Sequence, residues 1–181
     1  MRLTAFALAG LTGLWFICAP LGGPGMGMAK AADAVAKSLG TSGNWQARTV
    51  ADNGTTLCYI SSGPSRIGST IKGRNQTGVL VTHAANGGAR DQVSVALGFQ
   101  PRKGTAVTLR IGKRNYTLQK IQGDRAWSSS DSVDRQIVTA MKKGDDMTVL
   151  ATSSGGKRAQ DQYDLSGFRA AYGMIAKACG L

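Results

Sequence analysis

The chain has 181 residues and a formal net charge of +12, with 22 Lys and Arg against 10 acids. Every acid is Asp, which argues against long exposed helices laced by Glu–Lys pairs. So large a positive excess predicts attraction to anionic surfaces, be they lipid head groups, acidic polysaccharide or nucleic acid; the plainer alternative is a charged surface that keeps the chain soluble.

Residues 1–32 read as a signal peptide. Arg2 supplies the short positive region, Ala5 to Ala19 the apolar core, and Ala29-Lys30-Ala31-Ala32 fits the A-x-A rule, so cleavage is expected at Ala31 or Ala32. The apolar run, roughly fifteen residues, is shorter than a bilayer span. After cleavage the chain is therefore not expected to be an integral membrane protein. Cys18 follows the bulky Trp15-Phe16-Ile17, unlike a lipidated cysteine, and is expected to leave with the signal. Losing Arg2 and Lys30 takes the net charge from +12 to +10.

Export leaves Cys58 and Cys179 in an oxidising compartment, where a disulfide is expected; the alternative is two buried free thiols. In the chain-entropy picture a loop this long is worth roughly 4–5 kcal/mol. His83, the only histidine, leaves too few partners for a Cys/His zinc set. No metal or cofactor is expected.

Residues 33–43 are small and polar and read as a flexible lead-in to a single domain over 44–181. Trp45 to Ala51 alternates as a strand, Asn53-Gly54 is a hairpin turn, and Thr56 to Ile60 returns with Cys58 on one face and Leu57 and Tyr59 on the other. Gly63-Pro64 and Gly68 make 61–72 a loop or irregular edge. Val79 to His83 reads as a buried strand, followed by strands at Val93–Leu97 and Val107–Ile111. Gly112 to Asn115 forms a hairpin tip, Tyr116 and Leu118 return, and a short strand holds Trp127. The run from Asp131 to Lys143 departs from this rhythm. Val133, Ile137 and Met141 recur at helical spacing, with Asp131 and Asp134 early and Lys142-Lys143 late, as the helix dipole favours. Met147, Val149 and Ala151 form a further strand. A C-terminal helix then spans about Ser166 to Ala178, with Phe168, Ala171, Tyr172, Ile175 and Cys179 on one stripe. Asp164 or Ser166 is its expected N-cap and Gly180 its stop. The fold class is mainly β: a β-sandwich or small barrel with one short inserted helix and a C-terminal helix tied to it through Cys58–Cys179.

Taken in order, Trp45, Cys58, Arg90-Asp91, Leu109-Arg-Ile-Gly112, Trp127, Met141-Lys-Lys-Gly144, Asp161-Gln-Tyr-Asp-Leu-Ser-Gly-Phe168, Ala171 and Cys179 resemble the invasion-associated locus B family of exported alphaproteobacterial proteins. The run at 161–168 is similar to the family's Asp-x-Tyr-Ser-Leu-x-Gly-Phe, with Asp164 in place of Ser, a mild change because both residues cap helices. The resemblance spans Trp45 to Cys179. It implies an immunoglobulin-like β-sandwich exported to the periplasm or outer surface, an association of some members with entry into host cells, and no catalytic residues. Fold alone does not supply function.

Enzymatic chemistry has little support. His83 sits in an apolar run and reads as a strand histidine rather than a general base. There is no Gly-x-Ser-x-Gly elbow and no histidine pair. Asp131/Asp134 reads as a helix opening, Asp145/Asp146 as a strand lead-in, and Gly-Gly-Lys-Arg at 155–158 lacks P-loop spacing. The strongest candidate is electrostatic: Arg102, Lys103, Arg110, Lys113, Arg114, Lys120 and Arg125 share a stretch whose only acid is Asp124. Such a cluster suits anion recognition by Arg forks; the alternative is an edge hairpin whose charges prevent aggregation. Nucleic acid is not an expected partner, because the chain is exported and aromatics interleaved with the basics are missing apart from Tyr116. The sequence thus reads as a non-enzymatic periplasmic accessory protein that binds an anionic envelope component or a protein through its basic hairpin. The alternative is a surface or secreted adhesion and invasion factor acting on the host-cell surface.

Overall fold

The computed structural model describes residues 35–181; the expected signal peptide and its cleavage site lie outside the described residues. In chain order the elements are β1 (Lys37–Ser42), β2 (Trp45–Asp52), β3 (Thr55–Ser62), β4 (Arg66–Ile67), β5 (Gly78–Ala84), β6 (Gln92–Ala96) and β7 (Val107–Ile111). They continue with β8 (Arg114–Leu118), β9 (Lys120–Gln122), β10 (Arg125–Trp127), α1 (Asp131–Met141), β11 (Asp146–Thr152), β12 (Arg158–Asp164) and α2 (Phe168–Ala178). A seven-stranded sheet runs β1-β2-β3-β5-β6-β10-β9 and a five-stranded sheet β4-β12-β11-β7-β8, with every pairing antiparallel.

Period-two alternation builds both sheets. Val79, Val81 and His83 of β5 point inward while Leu80 and Thr82 are half-buried; Val107, Leu109 and Ile111 do the same on β7. The two inner faces share one core with α2, in which Trp45, Ile60, Val81, Leu109, Val149 and Phe168 are almost fully enclosed. The mainly-β expectation holds, and so does the rivet. The Cys58–Cys179 disulfide joins the middle of β3 to the end of α2 with 6.1 Å between Cα atoms. α2 lies on β1, β2 and β3, where the Trp45 and Phe168 rings meet edge-on at 4.9 Å and the Trp45 indole N–H donates to the Asp164 carbonyl at 3.0 Å.

Three sequence expectations are corrected. Residues 33–43 are not a loose lead-in, since Lys37–Ser42 forms the edge strand β1, paired to β2 with a bulge between Ser38 and Gly40. Its side chains are polar because an edge strand under a helix draws its stability from main-chain pairing, with only Leu39 and Gly40 turned toward α2 and the core. Residues 158–164, absent from the strands read from the sequence, form the strand β12, which turns Ala159, Asp161 and Tyr163 inward. The N-cap of α2 is neither Asp164 nor Ser166 but Gly167, with φ +82° and no side-chain cap. A Cβ there would sit 2.3 Å from the Ser42 carbonyl oxygen, so the close passage of β1 excludes a larger residue. Asp164 instead accepts from the Ser166 N–H at 2.7 Å and tightens the turn. At the other end Gly180 (φ +72°) closes a Schellman arrangement, with Leu181 N–H donating to the Ala176 carbonyl at 2.8 Å.

Candidate functional site

The structure divides the basic cluster by strand geometry. Gly112-Lys113 is a two-residue turn, with φ +55° at Gly112, and it sets Ile111 opposite Arg114. Arg114 therefore shares a face with Ile111, Tyr116 and Leu118, the face turned toward the core. Arg110 pairs with Asn115 and Thr148 and projects from the opposite, outer face. Arg102 and Lys103 lie in the turn before β7, at the far end of the strand from the hairpin tip. Lys120 belongs to β9 on the edge of the other sheet, where it lines a separate cleft with Trp127, Asp131 and Asp134. Of the seven basic residues, Lys113 and Arg114 meet at the hairpin tip, Arg102 and Lys103 share a second cleft with Gln119 and Ile121, and Lys120 and Arg125 line two others.

At the tip, Lys113 and Arg114 meet α1. Ser130 caps this helix through its hydroxyl, 3.5 Å from the Val133 N–H, and Ile137, Val138 and Met141 bury one side of it. The opposite stripe, Ser132, Arg135, Gln136, Thr139 and Lys143, recurs at helical spacing and faces the hairpin tip. Gly144 permits the approach: a Cβ there would lie 2.9 Å from Ile111 Cγ2. Between α1 and the tip is a cleft of about 620 Å³. Ile111, Tyr116, Ala140 and Gly144 contribute its apolar lining, and Lys113, Arg114, Arg135 and Lys143 its charge.

No carboxylate lines the cleft, and among the described residues none of the four cations is in an ion pair. Tyr116 is only 7% exposed, and its hydroxyl is buried without a hydrogen-bond partner in the protein. A buried hydroxyl left unmatched costs about 1–3 kcal/mol. The arrangement suits an anion: guanidinium forks and ammonium groups surround an apolar floor. The basic stretch of the sequence pointed to Lys113 and Arg114 but missed Arg135 and Lys143. Their signal was the polar stripe of the helix at 132, 135, 136, 139 and 143.

The remaining buried polar groups bind the fold together. His83 is fully enclosed, its Nδ1 accepts the Asp91 N–H at 3.0 Å, and the Tyr172 hydroxyl donates to Asp91 Oδ1 at 2.7 Å. Burial, the largest influence, pushes the His83 pKa below its ordinary value, and Arg90 and Lys142 add to the effect against Asp91. Burial and the Asp91 carboxylate push Tyr172 up to about 12. The Lys142 ammonium sits 3.4 Å from the centre of the Tyr172 ring. Asp134 does more than open α1: its carboxylate accepts the Val93 N–H at 3.1 Å and ties the helix to β6. Burial raises its pKa. Asp161, wholly buried, takes a bidentate grip from Arg74, which also donates to the Leu97 carbonyl at 2.9 Å. Among the described residues no group of three His, Cys, Asp or Glu could hold a metal ion, and no helix is long and apolar enough to cross a membrane.

The motif residues at 161–168 therefore build the junction between β12, β1 and α2 rather than the cleft. The sequence profile of the family described as Invasion associated locus B (IalB) protein matches residues 45–176. The crystal structure of invasion associated protein B from Bartonella henselae shares the fold, with a TM-score of 0.55 and 14% identity over 82% of this chain and 100% of that one. At that identity the likeness speaks for the fold alone. No curated protein sequence matches the chain.

Proposed function

The chain belongs to the invasion associated locus B family, and from that premise we propose that it is a non-enzymatic binding protein of the cell envelope, exported through residues 1–32 to the periplasm. Its working surface is the tip of the β7–β8 hairpin together with α1, and its partner is an anionic envelope component or protein. One observation carries this reading: Lys113, Arg114, Arg135 and Lys143 surround one cleft that no carboxylate lines. Like charges gathered without a counter-charge raise the local potential, and a bound anion relieves it.

The test is co-sedimentation of the purified protein with phosphatidylglycerol vesicles, against phosphatidylcholine vesicles, at rising salt. Binding to the anionic vesicles falls steeply with salt, because exposed charges are screened over about 8 Å at physiological ionic strength. Lys113→Gln/Arg114→Gln/Arg135→Gln abolishes most of it. Arg66→Gln/Lys72→Gln/Arg158→Gln removes the same charge from the β4–β12 side of the five-stranded sheet, at the edge opposite β8, and leaves most of the binding. Equal losses in the two variants would reduce the effect to net charge and remove the site.

The association with invasion in the names of the family and of its Bartonella henselae neighbour supports a second reading, a surface or secreted factor that meets host cells with the same face. Protease shaving of intact cells separates the two. A periplasmic protein survives it, and a surface protein is trimmed.

A further inference from the structure

We propose that the cleft between the β7–β8 hairpin and α1 is a small-molecule site for a phosphate monoester carried on an apolar body. The inference rests on the reading of this cleft as the anion-binding surface and specifies its ligand.

Size is the first argument. The cleft, about 620 Å³, falls within the range of small-molecule sites, and an inorganic phosphate occupies only a fraction of it. The rest is bounded by Ile111, Ala140, Gly144 and the Tyr116 ring, an apolar floor that a bare anion leaves wet. Charge is the second. Two guanidinium and two ammonium groups answer a dianion better than a single carboxylate, and Arg forks match phosphate oxygens in pairs.

In calorimetric titrations of the purified protein, hexyl phosphate binds about tenfold or more tighter than inorganic phosphate, the gain expected from two or more buried methylenes. Lys113→Gln/Arg114→Gln/Arg135→Gln weakens hexyl phosphate about tenfold or more, as the loss of charged hydrogen bonds to the phosphate predicts. Heptanoate, with the same hexyl body and one charge, binds more weakly than hexyl phosphate.

Unchanged affinity in that triple variant overturns the placement of the phosphate in this cleft, and hexyl phosphate no tighter than inorganic phosphate overturns the ligand class. If hexyl phosphate fails to bind while phosphatidylglycerol vesicles still bind through Lys113, Arg114 and Arg135, the ligand class falls and the electrostatic reading stands. If neither binds, both fall.

Discussion

At the scale of single residues, the polar groups of the core make the firmest predictions. Asp161 is an inward carboxylate that the fold tolerates because the Arg74 guanidinium grips both its oxygens while stacking 5.1 Å from the Phe99 ring. Asp161→Asn leaves that guanidinium buried without a counter-charge and is expected to cost about 3–5 kcal/mol in urea unfolding. Replacing both partners together, Arg74→Met/Asp161→Leu, recovers much of the loss, because no orphaned charge remains. His83 links stability to pH. Its folded pKa lies below the ordinary 6.5 of the unfolded chain, so between the two values the unfolded state binds the extra proton. The contribution of His83 is then fully present above pH 6.5 and is lost as pH falls toward the folded pKa. Urea midpoints should drop from about pH 7.5 to about pH 5.5, and His83→Gln, which keeps an acceptor near the Asp91 N–H, should shrink that drop.

At the scale of elements, α2 depends on three fastenings of different kinds. The disulfide closes a loop spanning 121 residues of sequence separation, so Cys58→Ala/Cys179→Ala should lower stability by about 4–5 kcal/mol. Hydrogen exchange should show α2 loosening before the central strands β3 and β5. Trp45 and Phe168 supply the packing, and Gly167 the entry angle. Two glycine substitutions separate these roles. Gly167→Ala places a Cβ against the Ser42 carbonyl at a positive φ and should destabilise by about 1–3 kcal/mol. Gly173→Ala, in the exposed middle of α2 with open space around it, should stabilise by roughly 0.5–1 kcal/mol.

At the scale of the whole molecule, the positive charge is spread widely, but at the hairpin tip four cations converge on one cleft that no carboxylate lines. Lys120 illustrates the contrast, since it shares its cleft with Asp131 and Asp134. The cleft at the hairpin tip combines charges from two elements separated by β9 and β10 in the chain, and packing joins them. The proposed export is tested at this scale too. Intact-mass analysis of the protein recovered from the envelope should place its N-terminus at or near Ala32 or Asp33, with no lipid on Cys18. A mass that retains Met1 rejects the signal-peptide reading.

Local order was legible in the residues themselves. Alternation at Val107, Leu109 and Ile111 and at Met147, Val149 and Ala151 marks strands, because a strand's two faces are written every second residue. Val133, Ile137 and Met141 marked α1 for the same reason at helical period, and the count of cysteines after export paired Cys58 with Cys179. What tertiary structure decided were the features whose cause lies elsewhere in the chain. β12 carries Asp161 toward the core, a placement acceptable only because Arg74, 87 residues earlier, neutralises it. β1 is polar because pairing with β2, not burial of its own side chains, holds it. Arg135 and Lys143 joined Lys113 and Arg114 for a like reason: the charge of a cleft is a sum over the elements that wall it, and only folding decides which elements those are.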